Sequence, residues 1–136
     1  MLLTLGRGLL TGVLTTRESI GGTNDIRANQ FPRFSEKNLE ENLKLFRQFT
    51  TLAEKKGCTS SQLAIARLLR QGDNIIPIPE TNKIKYLEEN WGALDVNLTD
   101  EDEAEVRKFV ESAEILGSRE TPEGTAFAYV DTKEEA

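Results

Sequence analysis

Apolar residues recur at helical spacing over four stretches of the chain. Leu39, Leu43, Phe46, Phe49, Leu52 and Ala53 fall on one face of a helix that Ser35 is placed to cap and that Gly57 closes after Lys55 and Lys56. Thr59, Ser60, Ser61 and Gln62 spell a capping box. The helix it opens is apolar nearly all round over residues 63–69 apart from Arg67, so it demands burial on more than one side. Ile84, Leu87 and Trp91 stand at i, i+3 and i+7 on a third helix. Thr99 caps a fourth, with Asp100, Glu101 and Asp102 at its positive end, Val106, Phe109, Val110 and Ala113 along its buried stripe, and Gly117 as its stop.

The intervening segments have other patterns. Ile75, Ile76, Pro77 and Ile78 form an apolar run too short for a helix, which predicts one buried strand ended by Pro79. Residues 2–5 predict a second short strand that runs into a glycine-rich turn over 5–12, and Leu94, Val96 and Leu98 alternate with polar residues as a short extended piece would. Residues 15–34, polar and punctuated by Gly21, Gly22 and Pro32, are expected to be a loop, and one this long is either functional or mobile. The predicted organisation is one domain over residues 1–117 and an irregular acidic tail over 118–136. At its centre lies a strand, turn and helix unit, in which Glu80, Thr81 and Asn82 supply the turn. A helix N-terminus presents unpaired N–H groups and partial positive charge, which suits a phosphate, and Thr81 and Lys83 add a hydroxyl and a cation.

Composition narrows the function. The 136 residues are enough for one modest core. A net charge of −6, with basic residues scattered among acids, argues against a nucleic-acid surface or an anionic membrane partner. No apolar run approaches the roughly 18 residues of a membrane span, and the first 14 residues, broken by Arg7 and three glycines, make a poor signal peptide. The single cysteine, Cys58, cannot form an internal disulfide and points to a reducing, cytoplasmic setting; nothing basic follows it closely, so it is expected to be an inert thiol. Histidine is absent, which removes Ser-His-Asp and Cys-His arrangements and His metal sites. The carboxylate pairs Glu40-Glu41, Glu88-Glu89 and Glu134-Glu135 fall on solvated faces or in the tail, not in an acid–base site.

The sequence IPETNKIKYLEEN over residues 78–90 resembles the last strand, loop and helix of the aldo-keto reductases, and LGRGLLTG over residues 5–12 is similar to the segment leaving their seventh strand. The two stand in family order, and the resemblance runs over about residues 5–114. It implies an α/β fold, the C-terminal portion of a (β/α)8 TIM barrel with about two strands and four helices; a whole barrel takes roughly 250 residues, so the chain is expected to be truncated. It also implies an NADP-dependent oxidoreductase site: Leu5 and Gly6 approaching the cofactor through backbone groups, Arg7 facing phosphate, Thr81 and Lys83 on the 2′-phosphate of NADPH, and Glu89 with Asn90 on the adenine amino group. Taken without the family, residues 5–12 are a plain glycine-rich turn or a weak near miss on GxGxxG, Lys83 is a solvated lysine, Thr81 a simple cap, and Glu89 and Asn90 a solvated helix face.

The departures from the family are informative. Leu2, Leu3 and Thr4 stand where it has an aromatic, serine and proline. Glu80 replaces glycine or lysine beside the phosphate and repels it by roughly 1 kcal/mol at 4 Å in water, so cofactor binding is expected to be weak. The catalytic Asp, Tyr, Lys and His tetrad has no counterpart, since Tyr86 and Tyr129 fall in the last helix unit and the tail. The chain alone is therefore expected to be inactive. A contrasting reading is a non-enzymatic helical module, or an inactive piece, that pairs with a complementing barrel half, with an intact reductase or with itself. Its sign would be exposure of Leu9, Leu10, Ile75, Ile76 and Ile78.

Overall fold

Capping chemistry sets the helix boundaries. The computed structural model describes residues 4–20, 25–121 and 123–124. Helix α1 (Ile26–Gln30) opens at Asp25, whose carboxylate accepts the Arg27 N–H. Helix α2 (Glu36–Lys55) starts at Ser35, whose carbonyl, rather than its hydroxyl, accepts from Asn38 and Leu39. The reciprocal Thr59 and Gln62 bonds open α3 (Ser60–Leu69) as expected. Helix α4 (Ile84–Trp91) begins after Lys83 with no side-chain cap, and α5 (Asp100–Ser112) has a second capping box, between Thr99 and Asp102.

Helix α2 is the spine. Its C-terminal half contributes Phe49, Leu52 and Ala53 to a core completed by Leu63, Ala64 and Ala66 of α3, by Leu98, and by Val106 of α5. Its N-terminal half packs Leu39 and Leu43 against Leu9, Leu14, Ile20, Phe31 and Phe34. The all-round apolarity of α3 is satisfied because α2 lies on one side and α4 with the 3-10 turn Gly92–Asp95 on another. Gly92 lies against the Gln62 side chain, whose Nε2 would be 2.7 Å from a Cβ there and would have to shift aside. Lys56, at the negative end of α2, pairs with Asp102 and, at 2.7 Å, Glu105 at the start of α5, so both helix dipoles favour the contact.

Several expectations give way to tertiary contacts. No strand occurs among the described residues. Of the segment expected as the N-terminal strand, residues 2 and 3 lie outside the description, while Thr4 and Leu5 enter a turn followed by the 3-10 helix Gly6–Thr11. Residues 75–78 are irregular, and Ile76 is 80% exposed. A strand exists only through ladder bonds to a neighbour, and among the described residues no strand lies beside residues 75–78. The apolar stripe of α4 is open as well, with Ile84, Leu87 and Trp91 all exposed. By contrast Leu9 is buried and Leu10 packs on the core, against the expectation that both would be uncovered. The piece over Leu94, Val96 and Leu98 begins in a 3-10 turn instead of being extended throughout. The expected loop over 15–34 contains α1 and 3-10 turns at Arg17–Ser19 and Pro32–Phe34; Gly21 and Gly22 lie outside the described residues, as do Tyr129, Glu134 and Glu135. No helix among the described residues is long and apolar enough to cross a membrane.

Helix α5 stops at Ser112, ahead of Gly117, because the chain turns back over α2. There Asn42, 1% exposed, donates to the Arg33 and Leu116 carbonyls at 3.0 and 2.9 Å and accepts the Leu116 N–H at 2.8 Å. Gly117, at φ +88°, lies so close to Pro32 that a Cβ would sit 2.7 Å from its carbonyl carbon. Val110, expected on the buried stripe, is exposed at this turn.

Candidate functional site

The glycine-rich turn and the segment leading into α4 face each other across a cleft of about 750 Å³. Leu5, Arg7, Gly8 and Thr11 line one side; Ile78, Pro79, Glu80, Thr81 and Asn82 line the other. Residues 73 positions apart in sequence thus meet because α2 and α3 hold the Gly6–Thr11 turn on one side and α3 holds α4 on the other. Leu5, Arg7 and Thr81 are brought together here as one wall group.

The start of α4 has an unusual charge pattern. Its first turn has no acidic residue and no side-chain cap, whereas α5 opens with Asp100, Glu101, Asp102 and Glu103. Lys83 and Lys85 bracket the Tyr86 ring, their ammonium groups 5.6 and 5.9 Å from its centroid. A positive helix end flanked by two lysines and without a carboxylate in its own turn is chemically suited to an anion. The Thr81 hydroxyl accepts the Lys83 N–H at 3.2 Å, which leaves its own O–H to donate. Glu80 opposes this arrangement from within the cleft wall.

The other residues singled out in the sequence lie apart. Gly6 lines a separate apolar cavity with Leu9, Leu10 and Phe49. Lys83 is exposed and outside the cleft wall. Glu89 borders a second groove with Tyr86, Lys85 and Gly12 that shares Thr11 with the first, and Asn90, one residue on, is buried. Arg7 is held by several groups at once. Its backbone is left-handed at φ 57°, a conformation that costs a non-glycine residue about 1 kcal/mol or more. Its carbonyl accepts from Arg27 at 3.0 Å, its guanidinium stacks 3.8 Å above Phe31, and it pairs with Glu120 at 2.7 Å. Phe31, Glu120 and Thr11 were not singled out in the sequence: nothing local links Phe31 or Glu120 to Arg7, and Thr11 carries no signal beyond its place in the glycine-rich stretch. Away from the cleft, burial pushes the Cys58 thiol above its ordinary range. Among the described residues no group of three or more His, Cys, Asp or Glu side chains is placed to hold a metal ion.

The model of the aldo/keto reductase family matches residues 2–111. The chain is similar to aldo-keto reductase yakc [NADP(+)] of Schizosaccharomyces pombe, 40% identical over 94% of this chain and 37% of that protein. It is 44% identical to aldo-keto reductase str7 of Strobilurus tenacellus over 85% of this chain and 34% of that one, and 37% identical to probable aldo-keto reductase 1 of Glycine max over 85% and 32%. The chain therefore spans about a third of the length of the curated relatives it matches.

Proposed function

The chain belongs to the aldo/keto reductase family, as the match over residues 2–111 shows, and on that premise we propose that it forms the adenosine and 2′-phosphate side of an NADP(H) site in a reductase of aldehydes or ketones. The observation that carries this reading is the cleft, which sets Leu5 and Arg7 opposite Thr81 at the uncapped, lysine-flanked start of α4. Thr81 donates to the 2′-phosphate, Lys83 and Lys85 supply its field, Arg7 faces the remaining phosphates, and Glu89 with Asn90 addresses adenine. Leu5 and Gly6 approach through backbone groups. Glu80 holds the affinity down. The cofactor supplies hydride; the residues of this chain bind and orient it, and the proton donor and the rest of the (β/α)8 barrel come from other residues, because no tetrad member is present.

The exposed Ile76, Ile78, Ile84, Leu87 and Trp91 support that reading, since apolar side chains left open to solvent suit a covering partner such as further barrel strands. The family match favours a reductase component over an independent helical module. A cytoplasmic setting accords with the single cysteine.

Titration of the 136-residue chain with NADPH, NADH and adenosine 2′-phosphate, followed by fluorescence and calorimetry, tests the reading. NADPH should bind more tightly than NADH, and Thr81→Ala should weaken NADPH by about ten-fold, the worth of one charge-assisted hydrogen bond, with NADH little changed. Glu80→Gly should tighten NADPH selectively. Equal effects on both cofactors, or no binding of adenosine 2′-phosphate, would overturn it, as would carbonyl reduction by this chain alone.

A further inference from the structure

Arg7 lines the cleft, yet its charge is already answered. Glu120 Oε2 lies 2.7 Å from Arg7 Nη2, with both side chains about a quarter exposed. The pair closes a separation of 113 residues, so it forms only when the segment after α5 is folded back over α2. That return is anchored independently of Arg7, by the Asn42 bonds to Leu116 and by the Arg33 bond to the Gly117 carbonyl at 3.2 Å. Glu120 is steadied further by Arg119, whose Nε is 3.4 Å from Oε1, and by the Ser118 hydroxyl on its carbonyl. On the other face the Phe31 ring fixes the guanidinium plane, and the Arg7 Nε is buried with no hydrogen-bond partner. With Arg7 paired, the other charged residue of the cleft wall is Glu80, which opposes an entering anion.

We propose that Glu120 is a built-in competitor for Arg7, a carboxylate on the returning segment that must be displaced before the phosphates of a ligand engage this arginine, and that it sets the affinity and salt dependence of the cleft. The inference rests on the reading of the cleft as a dinucleotide phosphate site. Its mechanism is exchange of one oxyanion for another on a preoriented guanidinium. The stacked Phe31 and the Arg27 bond to the Arg7 carbonyl keep Arg7 in place during the exchange, so only the Glu120 side chain has to move.

The test uses two probes on the full 136-residue chain, inorganic pyrophosphate for Arg7 and NADPH for the whole cleft. Glu120→Gln removes the competing charge with little change of shape. It should tighten both probes about five-fold, the effect of a partly exposed ion pair worth roughly 1 kcal/mol, and pyrophosphate should then shift the Arg7 Nε–Hε resonance at correspondingly lower concentration. Added salt should erode that gain. Glu120→Asp, which keeps the charge, should stay within two-fold of the parent, and Arg7→Gln combined with Glu120→Gln should abolish the gain. Thermal melts of each variant separate these changes from loss of folding. Unchanged or weaker binding of both probes by a folded Glu120→Gln chain, or equal gains in Glu120→Asp, would overturn the proposal. Failure of adenosine 2′-phosphate to bind, with the Arg7 resonance still responding to pyrophosphate more readily in Glu120→Gln, would overturn the cofactor reading and uphold the competition at Arg7.

Discussion

Replacing Asn42 with alanine should cost far more than its place on a long polar-faced helix suggests. The side chain is 1% exposed and makes three bonds: Nδ2 donates to the Arg33 carbonyl at 3.0 Å and to the Leu116 carbonyl at 2.9 Å, while Oδ1 accepts the Leu116 N–H at 2.8 Å. At about 1 kcal/mol net per hydrogen bond, with backbone groups left unsatisfied where water enters poorly, the loss should be roughly 3 kcal/mol. For a chain of this size that lowers the melting temperature by about 10 °C. Asn38→Ala is the internal control, because its amide makes one bond, to the Pro32 carbonyl at 2.8 Å, and should cost about 1 kcal/mol. Urea denaturation followed by circular dichroism gives both values. Amide exchange adds a local signature, since the Leu116 N–H should lose protection selectively in Asn42→Ala. Equal costs for the two variants, or an unprotected Leu116 in the parent chain, would refute the idea that Asn42 anchors the segment after α5.

Acidification should destabilise the α2 and α5 contact. The Lys56 ammonium holds Asp102 and Glu105 below their ordinary values of 3.8 and 4.5, so their contribution is full above those values and is lost as pH falls through the lowered ones; Lys56→Met should make the stability loss between neutral pH and about pH 3 shallower, as read from urea midpoints. Thr59→Ala and Thr99→Ala should each cost about 1 kcal/mol by removing a capping box, and together about 2, since the two sites share no partner. Leu63→Ala, at a fully buried position, should cost about 2–5 kcal/mol, measured by the same denaturation. Trp91 is the only tryptophan and 72% exposed, so its fluorescence should be quenched freely by acrylamide in the isolated chain and protected when a covering polypeptide is added.

What the sequence determined by itself is what neighbours in sequence decide. The capping boxes at Thr59 and Thr99 act over three residues, and the stripes along α2 and α3 act over three or four, so these elements follow from local spacing alone. The strand, turn and helix order at residues 74–90 was legible as far as its turn and helix, while the cleft that Thr81 shares with Leu5 and Arg7 is a product of tertiary packing. The strand was not settled locally, because a strand needs ladder bonds to a neighbour; residues 75–78 have none among the described residues, and Ile76 is open to solvent. Tertiary structure alone decided that α5 ends at Ser112, that Asn42 binds a residue 74 positions away and that Arg7 meets Glu120 across 113. Such contacts leave no periodic trace in a sequence. They arise when packing of α2 and α3 has fixed the frame, after which buried amide and guanidinium groups take whatever partners the returning chain brings within hydrogen-bond reach.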